Sequence, residues 1–205
     1  MQRLAVIFVL LAATLAAASP VQWSALGLDQ AQITGAGQTI SDFNGVTGLT
    51  VVITGSDNTV APYVHVNGNL HLRSTIGSVG SIPPSVITFA FSQPVLLSMN
   101  VTHFGDGYIR ERITFDSHGT GIFVGSIGAG GAITGQGSDL LEFLSADTYV
   151  GSPASVTAPG VSALTVVLDG ADGNDIAGVT LGMDLEPAAV AAVDATWSDI
   201  KALFR

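Results

Sequence analysis

Cysteine is absent from this 205-residue chain. Disulfides, thiolate metal ligands, a cysteine nucleophile and a lipid anchor on an amino-terminal cysteine are therefore excluded, and packing alone must stabilise the fold. A chain of this length can do so as one domain with a real hydrophobic core. For an exported protein, the lack of cysteine favours a bacterial route over a small, disulfide-stapled eukaryotic scaffold.

Basic residues are also scarce. Lys and Arg number 6 against 16 Asp and Glu, which gives a formal net charge of −10 at pH 7. The basic residues form no cluster, so phosphate backbones and anionic membrane surfaces would be repelled. We therefore expect no nucleic-acid partner, and we expect the negative charge to keep the protein soluble.

Recognisable catalytic motifs are missing as well. The chain has no Gly-x-Ser-x-Gly elbow and no His-Glu-x-x-His pair, and the glycines from Gly125 to Gly137 lack the lysine of a phosphate-binding loop. We interpret residues 125–132 as a flexible connection between strands. The paired carboxylates of a glycosidase need not be close in sequence, so a divergent carbohydrate-active enzyme stays an alternative.

Long hydrophobic runs are confined to the amino terminus. Arg3 precedes a mostly apolar, uncharged stretch at residues 4–15, and three alanines follow at residues 16–18. About 12 residues are too few for a spanning helix, which needs about 20, but they suit the core of a secretory signal peptide. We predict that residues 1–18 are removed, that the mature protein is secreted or extracellular, and that it does not insert into a membrane.

Apolar residues then recur at alternate positions, in short runs separated by Gly, Asn, Asp, Ser and Pro, which is the pattern of β-strands. Amphipathic helical patterns are missing between the runs, which argues against crossover helices and a parallel sheet. We predict an all-β fold, an antiparallel β-sandwich of the jelly-roll kind, over residues 19–186. The predicted strands are residues 49–54, 63–66, 70–73, 86–91, 95–103, 108–115, 122–127, 140–144, 164–168 and 179–185.

The last segment, residues 187–205, differs in composition. It opens with an alanine-rich linker, and Thr196-Trp197-Ser198-Asp199 forms a capping box that predicts a short carboxy-terminal helix. Trp197, Ile200 and Phe204 share one side of that helix. Two hypotheses stay open: the helix packs on its own domain, or it serves as a sorting or docking tag.

One hairpin has a predictable register. Asn67-Gly68-Asn69 separates two alternating runs, and a three-residue loop sets Val66 opposite Leu70 and Val64 opposite Leu72. One face of the hairpin is then apolar. A two-residue loop would mix apolar and polar side chains on each face, so we predict the longer loop.

The opposite face of this hairpin carries the candidate ligand-binding residues. In the predicted register His65 pairs with His71, and Tyr63 pairs with Arg73. A tyrosine beside hydrogen-bonding side chains can stack against a sugar ring and hold it, which predicts a glycan site. Two other hypotheses stay open: the paired imidazoles hold a metal ion, for which no third ligand is evident, or the face is an ordinary solvated surface.

A charged residue interrupts the apolar face of one predicted strand. Strict alternation places Glu111 on the same face as Ile113 and Phe115, where an unpaired carboxylate is costly. Three explanations stay open: a bulge turns Glu111 outward, the strand lies at a sheet edge, or a basic partner marks a site. Acid and base types also occur in the flanking loops, at His103, Asp106, Asp116 and His118. Polar residues are common in surface loops, so we assign no active site to them.

One acidic loop has the density of hard oxygen ligands that calcium needs. It starts at Asp169 and resembles one nonapeptide of the calcium-binding β-roll proteins, in which stacked repeats share each ion. Because only one copy is present, a polar turn and a single structural calcium ion both stay open. The candidate calcium ligands are Asp169, Asp172, Asn174 and Asp175. We predict no other cofactor.

Two stretches carry a resemblance to a known kind of protein. Residues 87–95, with the sequence ITFAFSQPV, and residues 110–115 resemble paired strands of secreted bacterial β-sandwich modules of the choice-of-anchor kind. Residues 195–205 are similar to a T-W-x-x-I-K-x-L-Y-R tail of bacterial exoproteins. The resemblance implies export and a sandwich fold, and it implies no catalytic residue. No hydrophobic anchor with a basic end follows Glu186-Pro187, so we expect no membrane attachment.

Together these features predict a secreted, monomeric, non-catalytic β-sandwich module at the cell surface or in the extracellular matrix. Its expected partner is a glycan or another surface protein. A structural exoprotein without a ligand and a divergent carbohydrate-active enzyme are the alternatives.

Overall fold

A computed structural model describes residues 19–56, 59–64, 70–74, 84–103, 110–145, 154–170 and 179–187. All of them belong to one compact unit, Ala18–Ala188, whereas a second unit, formed by Met1–Ala17 and Ala189–Arg205, lies outside the described residues. The signal peptide and the carboxy-terminal helix lie outside them too and stay predictions. In the described part of the chain, no helix has the length and apolar character that crossing a membrane requires.

The described residues form twelve strands and very little helix. The strands are β1 (Ser19–Pro20), β2 (Gln38–Ile40), β3 (Val51–Gly55), β4 (Thr59–Val64), β5 (Leu70–Ser74), β6 (Ser85–His103), β7 (Glu111–Asp116), β8 (Val124–Ile127), β9 (Gly131–Thr134), β10 (Leu140–Ser145), β11 (Ala154–Gly170) and β12 (Val179–Pro187). One helical turn, α1 (Gln30–Ile33), is capped by the carboxylate of Asp29, and 3-10 turns occur at Trp23–Ala25 and Phe43–Gly45.

All strand pairs in these ranges are antiparallel and belong to one hydrogen-bonded sheet. Its longest path runs β4-β5-β12-β6-β11-β7-β10-β9, with β1 joined to β12, β3 joined to β6 and β2, and β8 joined to β11. This arrangement confirms the predicted all-β, antiparallel fold. The division into the two layers of a sandwich stays a prediction.

Two strands, β6 and β11, are much longer than the others and pair with each other in two stretches. Residues 85–90 pair with residues 163–168, and residues 95–101 pair with residues 154–161, with register shifts in between. Each half of β6 has a second neighbour, β3 on the first half and β12 on the second. Each half of β11 likewise has its own neighbour, β8 on the first half and β7 on the second.

The sequence pattern divided or shortened these two long strands. It predicted two strands at residues 86–91 and 95–103, where β6 is continuous, and it placed the start of β11 at Leu164 rather than Ala154. Exposed polar residues and a proline lie between the two predicted strands, and Pro159 and Gly160 interrupt the alternation within β11. These interruptions lie where the register shifts, so they change the pairing without ending the strands.

Alternate side chains of β6 and β11 form the centre of the hydrophobic core. Those that are almost completely buried are Ile87, Phe89, Val95, Leu97, Met99 and Val101 from β6, and Val156, Ala158, Val161, Leu164, Val166 and Leu168 from β11. Intervening residues such as Thr88 and Thr165 lie on the other face and are half-buried. Burial at every second residue confirms the period-two interpretation of these segments.

The predicted hairpin forms, but its register differs from the predicted one by two residues. Strands β4 and β5 pair Val64 with Leu70 and Tyr63 with His71, so the predicted register with a three-residue loop is wrong. Residues 65–69 lie outside the described residues. Side chains alternate with a period of two along a strand. A shift of two residues therefore fits the apolar pattern as well as the predicted register did, and the pattern could not distinguish them.

The glycine-rich stretch at residues 125–132 is a connection between strands only at residues 128–130. It contains the end of β8 and the start of β9. A Cβ atom on Gly125 would lie 2.7 Å from Leu141 Cδ2 and 2.9 Å from Phe143 Cζ, both shorter than normal contacts. Glycine is therefore needed here because β8 approaches the side chains of β10 closely.

We predict that Gly125→Ala lowers the free energy of unfolding by about 1–3 kcal/mol, because the added methyl group overpacks the core beside Leu141 and Phe143. The matched control is Ser126→Ala, an exposed neighbour, which should change the free energy by less than about 0.5 kcal/mol. Urea denaturation followed by circular dichroism measures both. Equal stability of Gly125→Ala and the unmodified protein would show that β8 does not pack on β10.

Candidate functional site

The four predicted ligand-binding residues are partly described. Tyr63 and His71 are Cα partners across β4 and β5, whereas Arg73 pairs with Val60, and His65 lies outside the described residues. The predicted pairs of His65 with His71 and of Tyr63 with Arg73 are therefore wrong. A role for these residues in binding a glycan stays a prediction.

Only the first of the four candidate calcium ligands lies in the described part of the chain, and it belongs to a strand. Asp169 belongs to strand β11, and its Oδ2 atom lies 3.6 Å from Arg112 Nη1. Arg112 Nε lies 3.2 Å from Glu142 Oε2, so one guanidinium holds two carboxylates. The other candidate ligands, Asp172, Asn174 and Asp175, lie outside the described residues. Within the described ranges no three His, Asp or Glu residues are grouped so that they could hold a metal ion. The calcium site stays a prediction.

Glu111 is buried in the core-facing row of its strand. Its exposed fraction is 0%, like those of Ile113 and Phe115, and β7 lies between β11 and β10 without a register shift. An outward bulge and an edge strand, two of the three explanations for Glu111, are therefore wrong. The third, a basic partner, stays a prediction.

The backbone of Glu111 is tied to a buried serine of the neighbouring strand. Ser145 Oγ accepts the Glu111 N–H at 2.7 Å and donates to the Glu111 carbonyl oxygen at 3.3 Å. Both residues are buried, so no water can easily replace these bonds. The serine hydroxyl thereby satisfies two backbone groups at the end of β7.

We predict that Ser145→Ala lowers the free energy of unfolding by about 1–3 kcal/mol, because it removes two buried hydrogen bonds between the serine hydroxyl and the backbone of Glu111. Ser155→Ala is the control: its hydroxyl bonds only to Ser126 Oγ at an exposed position, so the change should stay below about 0.5 kcal/mol. Thermal denaturation of the two variants side by side measures the difference. Equal melting temperatures would contradict the proposed role of the Ser145 hydroxyl.

A groove of about 680 Å³ opens on the surface near the start of the described chain. Two segments line it, one that begins at the end of β1 and one that begins at the end of β2. The lining residues are Pro20, Gln22, Ala25 and Leu26 from the first segment, and Ile40, Ser41, Asp42, Asn44 and Gly45 from the second. The size lies within the range of pockets that hold small ligands.

Two buried aromatic residues fix the lining segments of this groove. Trp23 and Phe43 have exposed fractions of 1% and 0%, and their ring centroids lie 6.3 Å apart in an edge-to-face arrangement. Trp23 also packs on Phe89, and Phe43 packs on Phe91, both residues of β6. Both lining segments are thus anchored to the central strand of the sheet.

The second lining segment has an unusual backbone. Asp42 (φ +49°) and Asn44 (φ +56°) occupy the left-handed region, which Asp and Asn tolerate better than most residues. Asp42 Oδ1 accepts the N–H of Gly48 at 2.7 Å, and Phe43 N–H donates to the carbonyl of Leu49 at 2.8 Å. These bonds keep Phe43 buried, while its two neighbours line the groove.

The lining offers hydrogen-bonding groups and apolar surface but no basic side chain. Asp42 supplies acceptors, Gln22 and Asn44 place amide groups in the lining, and Leu26 and Ile40 supply half-buried apolar surface. The Gln22 amide also donates to the Pro20 carbonyl at 3.3 Å. Sequence reasoning missed this groove because its residues form no motif. The one local signal was the Asp-Phe-Asn-Gly turn at residues 42–45.

A second polar constellation lies where β7 ends. His118 Nε2 lies 2.8 Å from Thr165 Oγ1, and His118 Nδ1 lies 3.5 Å from Asp116 Oδ2. Thr165 Oγ1 is in turn 2.8 Å from Thr88 Oγ1. A carboxylate, an imidazole and two hydroxyls therefore follow one another in space. The sequence identified Asp116 and His118 as acid and base types, but Thr165 was missed because it is 47 residues from His118 along the chain.

Comparison with known proteins found no protein-family model, no curated protein and no solved structure that matches this chain. The resemblance to choice-of-anchor modules and to the exoprotein tail therefore stays a prediction.

Proposed function

We propose that this protein is a secreted, non-catalytic β-module that binds a neutral glycan in the groove lined by residues 20–26 and 40–45. The observation that carries the proposal is the groove itself, which brings carboxylate, amide and apolar groups together at a surface with no basic side chain. Export rests on the predicted signal peptide at residues 1–18. The proposed location is the cell surface or the extracellular matrix, which exported proteins reach.

The chemistry of the lining favours a sugar. Sugar hydroxyls both donate and accept hydrogen bonds, so they match amide groups and a carboxylate. Asp42 uses Oδ1 to hold the Gly48 N–H at 2.7 Å, and its second carboxylate oxygen, Oδ2, is the acceptor that we assign to the sugar. The C–H face of a sugar ring can pack on Leu26 and Ile40, which are half-buried beside these polar groups.

Charge narrows the class of sugar. The groove contains a carboxylate without a basic neighbour in its lining, and the whole chain has a net charge of −10. A sulfated or uronic-acid glycan would therefore be repelled, both at the site and during approach. A neutral hexose-based glycan is repelled neither at the site nor during approach.

The groove also needs little reorganisation to bind. Trp23 and Phe43 hold its two segments by buried aromatic contacts, and the Asp42–Gly48 bond fixes the backbone of the second segment. A ligand that enters a site held in this way loses less free energy to ordering of the protein. Moderate affinity from few contacts is therefore expected.

We predict that Asp42→Asn weakens glycan binding by about tenfold or more, because a charge-assisted hydrogen bond contributes about 1.5–3 kcal/mol. Asparagine keeps the Oδ1 acceptor for Gly48 and tolerates the left-handed backbone, so the loop should keep its shape. A neutral-glycan array selects the ligand, and isothermal titration calorimetry of the mature protein measures the affinity.

Asp139→Asn, outside the groove lining, is the matched control and should bind like the unmodified protein. Unchanged affinity of Asp42→Asn would contradict the groove as the site. Loss of binding in Tyr63→Ala, with Asp42→Asn unaffected, would instead place the glycan on the β4–β5 hairpin. If no neutral glycan binds and the protein forms ordered assemblies, the function is that of a structural exoprotein.

A further inference from the structure

The chain of polar groups at Asp116 has a defined direction. His118 Nδ1 lies 3.5 Å from Asp116 Oδ2, an ion-pair distance rather than a hydrogen bond, and we assign the proton of neutral His118 to Nδ1 because the carboxylate favours a proton on the nitrogen that faces it. Nε2 is then an acceptor, and the Thr165 hydroxyl, 2.8 Å away, donates to it. Thr165 has only one hydroxyl proton. The 2.8 Å contact with Thr88 therefore requires the Thr88 hydroxyl to be the donor.

Buried contacts fix the turn that carries His118. Ser117 Oγ is buried, donates to the carbonyl of Gly121 at 2.6 Å and accepts the Gly121 N–H at 3.1 Å. On the other side, Asp116 Oδ1 accepts the backbone N–H of His118 at 2.7 Å. The backbone of His118 lies in the left-handed region, with φ +53°. The imidazole is therefore held at Thr165 before any ligand arrives.

Solvent reaches this constellation from the outer face of the sheet. Leu164 and Val166 are buried in the core, so Thr165 between them projects to the other face, where it is half-buried. The side chains of His118 and Asp116 are 49% and 33% exposed. A small molecule can thus approach the Thr165 hydroxyl and the imidazole from the same side.

We propose that Thr165 is a nucleophilic hydroxyl, activated by His118, that accepts an acyl group from an activated carboxylic ester. Thr165 Oγ1 forms a bond to the carbonyl carbon of the ester while its proton passes to His118 Nε2. The bond from that carbon to the leaving oxygen then breaks, and the leaving group takes the proton from His118. The products are acyl-Thr165 and the free alcohol, and the imidazole is neutral again.

The two flanking residues assist at different points of this step. Asp116 keeps the His118 proton on Nδ1 and stabilises the imidazolium that forms during attack. The Thr88 hydroxyl donates to Thr165 Oγ1 and holds that oxygen in place. This neutral hydrogen bond lowers the nucleophilicity of the oxygen only slightly. Both are positioning residues for the Thr165 nucleophile.

The position of Thr165 indicates a modification site rather than a fast enzyme. Thr165 lies between β6 and β7, with Thr88 and Asp116 as its Cα partners, so its backbone groups face the neighbouring strands. They are not directed at an acyl oxygen above the sheet, and an oxyanion donor contributes about 10²–10³ in rate. Acylation of Thr165 is therefore expected to be slow and to stop at the acyl-Thr165 stage. This site uses none of the groove-lining residues and goes beyond the proposed glycan binding.

The test uses p-nitrophenyl acetate as the ester and the mature protein as the acceptor. Peptide mass spectrometry over a time course should find acetyl-Thr165, and none at Thr114, a threonine of the adjacent strand β7. In His118→Asn the rate of acetylation at Thr165 should fall by about tenfold or more, since general-base catalysis contributes about 10²–10⁴. Asparagine tolerates the left-handed backbone at this position, so the turn should persist.

Thr165→Val should remove the adduct at this peptide while amines elsewhere are acetylated as before, and Thr114→Val should leave acetyl-Thr165 unchanged. Circular dichroism checks that each variant is folded. Absence of acetyl-Thr165 from the unmodified protein, or an equal rate in folded His118→Asn, would overturn the proposal. In either case the constellation only ties the turn to the sheet.

Discussion

The pairing of β6 with β11 is the constraint on which the rest of this structure depends. In a chain without cysteine, burial of apolar side chains must hold the fold together, and these two strands supply alternate buried residues along both of their paired stretches. Strands β3, β12, β7 and β8 each attach directly to one half of this pair. The paired residues are far apart in sequence, so the central contact carries a large loop-closure cost.

The two candidate sites, the groove and the His118–Thr165 constellation, contact opposite faces of that same strand pair. Phe89, on the core face of β6, packs on Trp23 beneath the groove, and Thr88, the preceding residue on the outer face, bonds to Thr165 of β11. Because successive side chains of a strand point to opposite faces, the groove and the imidazole–hydroxyl constellation share few residues. Substitutions at one site are therefore expected to leave the other unaffected, provided that β6 and β11 stay paired.

Alternation of apolar residues was enough to predict the all-β fold, because it depends only on which face of a strand is buried. It did not determine the β4–β5 register, since a shift of two residues preserves the pattern, and it gave no reason for glycine at Gly125, where the packing of a distant strand decides. The groove and the His118–Thr165 contact were missed because residues distant in sequence form them. Glu111 was placed on the core-facing row by the same alternation, and its burial confirms that placement.

Amide hydrogen exchange tests the central role of the β6–β11 pair most directly. If this pair holds the fold together, amides of residues 86–90 and 163–168 should exchange only through global unfolding, more slowly than those of the peripheral strands β2 and β9. Their opening free energies should then equal the free energy of unfolding measured with urea. Exchange of the β6 and β11 amides as fast as that of β2 and β9, in the native protein, would contradict the account.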